Sequence, residues 1–128
     1  MAESTRRILL AEDDRFLRKA AETALKRHGF SVLPAVDGEE ALRIARAETP
    51  DAVLLDLIMP KLQGFEVLRA LKADAATARI PVIILSNLGQ ESDVKQAMDA
   101  GAAGYFVKAN LSLQDLVKKV TEVAGGAG

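Results

Sequence analysis

Five short apolar runs punctuate this chain, at about 7–11, 31–36, 52–56, 81–86 and 104–107. Runs such as Ile8-Leu9-Leu10-Ala11 and Ala52-Val53-Leu54-Leu55 show no alternation with polar residues. Uninterrupted apolar runs of this length belong to strands buried on both faces, as in a parallel sheet. Between and after them, apolar residues recur every three or four positions, over about 15–28, 38–48, 64–74, 91–100 and 113–124. That spacing predicts helices, each with one apolar stripe.

Strand and helix alternate along the whole chain, which predicts an α/β domain: a five-stranded parallel sheet flanked by five helices. Five of each favours the flavodoxin-like strand order 2-1-3-4-5. Local signals agree with the boundaries. Asp37 with Glu40, and Ser112 with Asp115, have capping-box spacing. Gly29 and Gly101 fall where helices end in a left-handed residue. Pro60 keeps the third strand from continuing, and Pro81 fits the first position of the fourth. No linker or repeat divides the chain, so 1–128 reads as one domain with its core over about 6–124 and a frayed tail at 125–128.

The strand ends carry the chemistry. Glu12-Asp13-Asp14 closes the first strand and Asp56 the third, which are neighbours at the switch point of that order. Asp13 and Asp56 then face each other across a few ångströms, and like charges so close call for a divalent cation. Ser86 ends the fourth strand and Lys108 the fifth, adding a hydroxyl and an ammonium to the same edge. Oxygen ligands of this kind suit Mg²⁺, which keeps waters for substrate phosphate oxygens. Lysine and hydroxyl would stabilise charge on a transferring phosphoryl group, with Asp56 as the nucleophile. Asp14 reads as the cap of the first helix rather than a ligand. His28 sits at that helix's end, where a cation is mildly favoured, and reads as structural or solvated.

Composition removes other classes. With 49% hydrophobic residues the chain is globular, and a net charge of −1 offers no basic footprint for nucleic acid. The absence of cysteine excludes thiolate and zinc-thiolate chemistry, and a single histidine excludes a multi-histidine metal site. No stretch approaches the roughly 20 apolar residues that span a bilayer, and 1–7 lacks the apolar core of a signal peptide, so a cytoplasmic location is expected. The start at Met1 favours a natural free-standing domain.

The motifs Ile8-Leu9-Leu10-Ala11-Glu12-Asp13-Asp14, Asp56-Leu57-Ile58-Met59-Pro60 with Gly64, Ser86 and Lys108 together closely resemble the receiver domains of two-component response regulators. The single-domain chemotaxis type is the nearest comparison, and the resemblance covers about 6–124. It implies that Asp56 accepts a phosphoryl group from a histidine kinase or phosphotransfer protein. It implies that Asp13 ligates Mg²⁺ directly, Glu12 acts through a water or as a second acid, and the backbone carbonyl of Ile58 completes the metal shell. Ser86 would bond the phosphoryl oxygen and Lys108 pair with it. Tyr105 matches the aromatic switch residue, and helix 4, strand 5 and helix 5 (about 91–124) form the output face toward a downstream protein. A monomer is implied, with dimerisation on phosphorylation left open.

Two departures qualify the match. Lys108 is followed by Ala109, where the family usually has a proline in a cis peptide. A cis bond costs about 2.5–4 kcal/mol before alanine against 0.5–1 before proline, so this loop is expected to be trans and reshaped, or strained. Ile58 and Leu88, which in the family flank the water that attacks the acyl phosphate, are apolar and imply a long phosphoryl lifetime. Of the rival functions, a phosphoaspartyl hydrolase lacks a second aspartate at position 58, and a nucleotide or flavin module lacks a glycine-rich loop after the first strand. An adaptor that keeps the fold without phosphotransfer remains the alternative, on Ala109 alone.

Overall fold

The computed structural model describes residues 5–59, 61 and 63–124. Among them the chain forms β1 (Arg7–Ala11), α1 (Arg15–Arg27), β2 (Ser31–Ala35), α2 (Gly38–Glu48), β3 (Ala52–Asp56), α3 (Gly64–Ala73), β4 (Val82–Ser86), α4 (Glu91–Asp99), β5 (Gly104–Val107) and α5 (Leu113–Ala124). The five strands are parallel in the order β2-β1-β3-β4-β5, as the alternation predicts. Every predicted boundary lies within one residue of the observed one. Pro60 and the tail 125–128 lie outside the described residues; Pro81 stands just before β4 rather than in it.

Successive side chains of a strand point to opposite faces, so an unbroken apolar strand feeds two cores. Leu9, Val53, Leu55 and Ile84 pack beneath α2 and α3 with Val67, Leu68 and Leu71. Ile8, Leu10, Leu54 and Ile83 pack beneath α1 and α5 with Leu25, Leu116 and Val120. β3 and β4 are buried along their whole length, whereas the edge strands β2 and β5 are only partly covered. Pro34 belongs on such an edge. Ser31 N–H and the Ala35 carbonyl bond toward β1, so Pro34, out of phase with them, turns its missing donor to the free side.

The caps follow the sequence signals. Asp14 Oδ1 accepts from Phe16 N at 2.9 Å and Leu17 N at 3.2 Å. Asp37 Oδ1 accepts from Glu40 N at 2.8 Å, while Glu40 reaches one residue past the cap, accepting from Val36 N at 3.0 Å. Ser112 Oγ accepts from Asp115 N at 3.3 Å. Gly29 and Gly101 take φ of 89° and 107°, the left-handed exit expected of them.

Candidate functional site: an acidic cleft at the carboxyl end of the sheet

Asp56 is the last residue of β3 and only 3% exposed. Its placement depends on Gly64. A Cβ there would lie 2.3 Å from the Asp56 carbonyl oxygen and 2.4 Å from Leu57 Cα, so only glycine lets α3 start this close to the strand end. Gly64 N donates to the Leu57 carbonyl at 2.9 Å and fixes that approach. Asp56 Oδ1 accepts from Ile58 N at 3.0 Å.

Glu12 follows β1 and is fully buried. Its N–H donates to the Ala35 carbonyl, and its Oε2 accepts from Asp14 N at 2.9 Å. Asp13 is exposed beside it. Oxygen atoms from Glu12, Asp13 and Asp56 all lie within 4.8 Å of one another. Lys108 crosses from the end of β5 to bind two of the three acids: Nζ donates to Asp56 Oδ2 at 2.8 Å and to Glu12 Oε2 at 2.9 Å.

One ammonium is too little for three carboxylates. Burial, offset in part by the Asp14 N–H and the Lys108 ammonium and reinforced by the charge of Asp56, pushes Glu12 from 4.5 up to about 7. Burial works against the Lys108 ammonium too, but its bonds to Asp56 and Glu12 outweigh that and hold it above its ordinary value. Glu12 Oε1 is buried with no hydrogen-bond partner. An unsatisfied carboxylate oxygen on a buried acid clustered with two further acids fits a hard divalent cation, so Glu12, Asp13 and Asp56 are a chemically apt donor set for Mg²⁺.

Ser86 ends β4 fully buried, and its Oγ accepts from Leu88 N at 3.0 Å. Tyr105 is half-buried on β5, and its hydroxyl donates to the Leu88 carbonyl, tying β5 to the loop that follows Ser86. Burial raises the Tyr105 hydroxyl above its ordinary value. Ile58 leaves its side chain 54% exposed, whereas Leu88 packs against the core beneath α2 and α3.

The loop at Ala109 resolves one of the two alternatives raised by its sequence. Lys108–Ala109 is a trans bond, and Lys108–Asn110 forms a 3₁₀ turn closed by Leu111 N donating to the Lys108 carbonyl at 3.2 Å. The reshaped turn still delivers Lys108 to both acids. His28 lies away from the cleft, its Nδ1 2.9 Å from the Ala24 carbonyl at the end of α1. One contact escaped sequence reasoning: Arg18 Nη1 donates to the Glu12 carbonyl at 2.8 Å. Its only sequence signal is its position one turn after the capping Asp14.

Comparison with known proteins agrees with this geometry. Residues 8–121 match the family model described as response regulator receiver domain. The chain is 43% identical over 89% of its length to a gliding motility regulatory protein of Myxococcus xanthus, of which it spans only 15%. It spans 41–48% of several further curated relatives. With protein PilH of Pseudomonas aeruginosa it shares 38% identity over 94% of this chain and 98% of that one. Among solved structures, it is 28% identical to the receiver domain of the sensor histidine kinase PA1611 of Pseudomonas aeruginosa. The TM-score is 0.86, with 96% of this chain and 100% of that one covered. That structure has a magnesium ion coordinated in its active-site cleft. Among the described residues no helix is long and apolar enough to cross a membrane. With the family model matched from the first strand to the last helix, the chain belongs to the response regulator receiver domains of two-component systems, phosphoacceptor regulators with a phosphorylation-dependent signalling role.

Proposed function

We propose that Asp56 is the phosphoacceptor and takes a phosphoryl group from a histidine kinase or phosphotransfer protein. The observation that carries this reading is the buried Asp56 carboxylate, set against Glu12 and Asp13 and reached by Lys108 at 2.8 Å. An Asp56 oxygen forms the bond to phosphorus as the nitrogen–phosphorus bond of the donor breaks, and the imidazole departs with the electron pair. Glu12, Asp13 and Asp56, with the Ile58 carbonyl, would hold Mg²⁺, whose charge when bound stabilises the phosphoryl oxygens.

The remaining side chains act on the product. Phosphorylation adds roughly −1.5 to −2 charges at the cleft. Lys108 transfers its bond from the Asp56 carboxylate to a phosphoryl oxygen. Ser86 gives up the Leu88 N–H and donates its hydroxyl to another, drawing the loop after β4 inward. Because Tyr105 is bonded to Leu88 in that same loop, the movement reaches β5 and the face formed with α4 and α5. A downstream protein reads that face. The exposed Ile58 and half-buried Leu88 offer no polar group to orient an attacking water, so the acyl phosphate is long-lived. Residues 1–128 act as one cytoplasmic receiver domain, a monomer that phosphorylation can turn into a dimer.

Intact-mass measurement after incubation with acetyl phosphate tests the reading, with and without Mg²⁺, on wild type and Asp56→Asn. One added phosphoryl group that requires both Mg²⁺ and Asp56 is expected. No addition from acetyl phosphate or from a phosphohistidine donor would leave a phosphorylation-independent adaptor.

A further inference from the structure

Arg18 closes the first turn of α1, its main-chain N–H bonded to the Asp14 carbonyl at 2.9 Å. Arg18 is half-buried and forms no ion pair among the described residues; its Nη1 instead donates to the main-chain carbonyl of Glu12 at 2.8 Å. Arg15 and Lys19 on the same helix are exposed. A half-buried arginine whose guanidinium is spent on a backbone carbonyl is therefore a specific arrangement, not a general feature of this basic helix.

The carbonyl it holds is the pivot of the acid loop. β1 ends at Ala11, so the Glu12 carbonyl lies beyond the strand. Glu12 N is anchored to Ala35, and its Oε2 to Asp14 and Lys108, which leaves the Glu12–Asp13 peptide as the point where repulsion among the acids can relax. We infer that Arg18 is a positioning residue of the cleft: by clamping the Glu12 carbonyl it keeps the Glu12 and Asp13 carboxylates turned toward Asp56, where a divalent cation needs them. This rests on the reading of the acidic cleft as the Mg²⁺ site.

Clamp and charge make opposite predictions. A cation beside the site repels Mg²⁺, so if Arg18 acted only through its charge, its removal would tighten binding. If it acts as a clamp, removal weakens binding, as for other residues that orient metal ligands without touching the metal. Calorimetric Mg²⁺ titration of the full chain decides the sign. Arg18→Met keeps the aliphatic stem and removes both donor and charge; its Mg²⁺ Kd is expected to rise by roughly tenfold or more. Arg18→Lys keeps a donor and should recover most of the affinity. Lys19→Ala removes an exposed charge one residue away and should bind as wild type or slightly tighter.

A second readout separates positioning from general damage. In acetyl phosphate reactions Arg18→Met should need more Mg²⁺ for half-maximal rate, with little change in the rate at saturating Mg²⁺. Thermal unfolding without Mg²⁺ reports whether each variant folds; should Arg18→Met not fold, Arg18→Gln, a neutral donor, must bind Mg²⁺ more tightly than Arg18→Ala, and equal affinities overturn the clamp. An Arg18→Met protein that folds and binds Mg²⁺ as tightly as wild type overturns the inference alone. A wild type that binds no Mg²⁺, or an Asp13→Ala protein that binds it undiminished, overturns the reading of the cleft as well.

Discussion

At the amino end of the sheet, Arg7 pairs with Glu48 at 2.8 Å, Arg6 faces Asp51 at 3.8 Å, and Arg7 N donates to Asp51 Oδ2 at 2.8 Å. Lys72, also partly buried, donates to the carbonyls of Ala78 and Ile80 at 3.0 and 2.7 Å. These contacts join opposite charges or a charge to carbonyls, and the ion pairs stand partly in solvent. At the carboxyl end three acids cluster around one lysine that pairs with only two of them, two of the acids are buried, and one oxygen has no partner. Both ends are built by the same strands, so the difference is not imposed by the fold. Opposite charges at the amino end hold themselves in place. The acids at the carboxyl end are held against their mutual repulsion by the backbone around them, and that stored imbalance is what a divalent cation would relieve.

The backbone that holds the imbalance is the place to break it. Gly64→Ala puts a methyl group 2.3 Å from the Asp56 carbonyl oxygen, and both atoms it meets first are main chain. Neither can rotate away, so α3 or the end of β3 must shift. We expect a loss of roughly 3 kcal/mol in urea unfolding. Stabilisation by Mg²⁺ should vanish with it.

Protons test the imbalance more gently. The folded-state value of Glu12, about 7, lies above the 4.5 of an unperturbed glutamate. The folded state therefore holds that proton more tightly than the unfolded chain. This contribution is fully present below about 4.5 and is lost as pH rises toward 7. Metal-free stability should fall across that interval by up to roughly 3 kcal/mol, and Glu12→Gln should remove the dependence. Mg²⁺ must displace the same proton, so its effect on the melting temperature should grow from pH 6 to pH 8. Asp56→Asn tests the repulsion itself. It leaves Lys108 and Glu12 as a matched pair, and should raise metal-free stability by about 1 kcal/mol while abolishing phosphorylation.

The sequence made the strands and most helix ends legible for local reasons. β3 and β4 are buried on both faces and so are written as unbroken apolar runs, and the caps Asp14, Asp37 and Ser112 act within three residues of themselves. The starts of α3 and α4 carried no such signal, because Gln63 and Gln90 stand at their caps. The residues of the cleft were legible by their places at strand ends. Their ranking was not: Glu12 and Asp13 are adjacent acids, and only the folded chain distinguishes the buried one with a raised pKa from the exposed one. Arg18 was invisible for a related reason. Its contact depends on how α1 leans over the end of β1, a tertiary angle that periodicity does not encode.

The smallest expected effect sharpens the comparison from the other end. Arg6 and Asp51 are 3.8 Å apart, with side chains 43% and 35% exposed, so water competes for both charges and salt screens what remains. Asp51 does not depend on Arg6, since its carboxylate already accepts the Arg7 N–H at 2.8 Å and its own N–H donates to the Arg7 carbonyl at 2.8 Å. Arg6→Gln should therefore change stability by no more than about 0.5 kcal/mol in urea unfolding, with no difference between low salt and 0.5 M NaCl. A loss of 2 kcal/mol or more, diminishing in salt, would mean that the amino end also relies on concentrated charge. The contrast between the two ends would then be one of degree, and the acid cleft would no longer stand apart from the amino end as a place where charge is held out of balance.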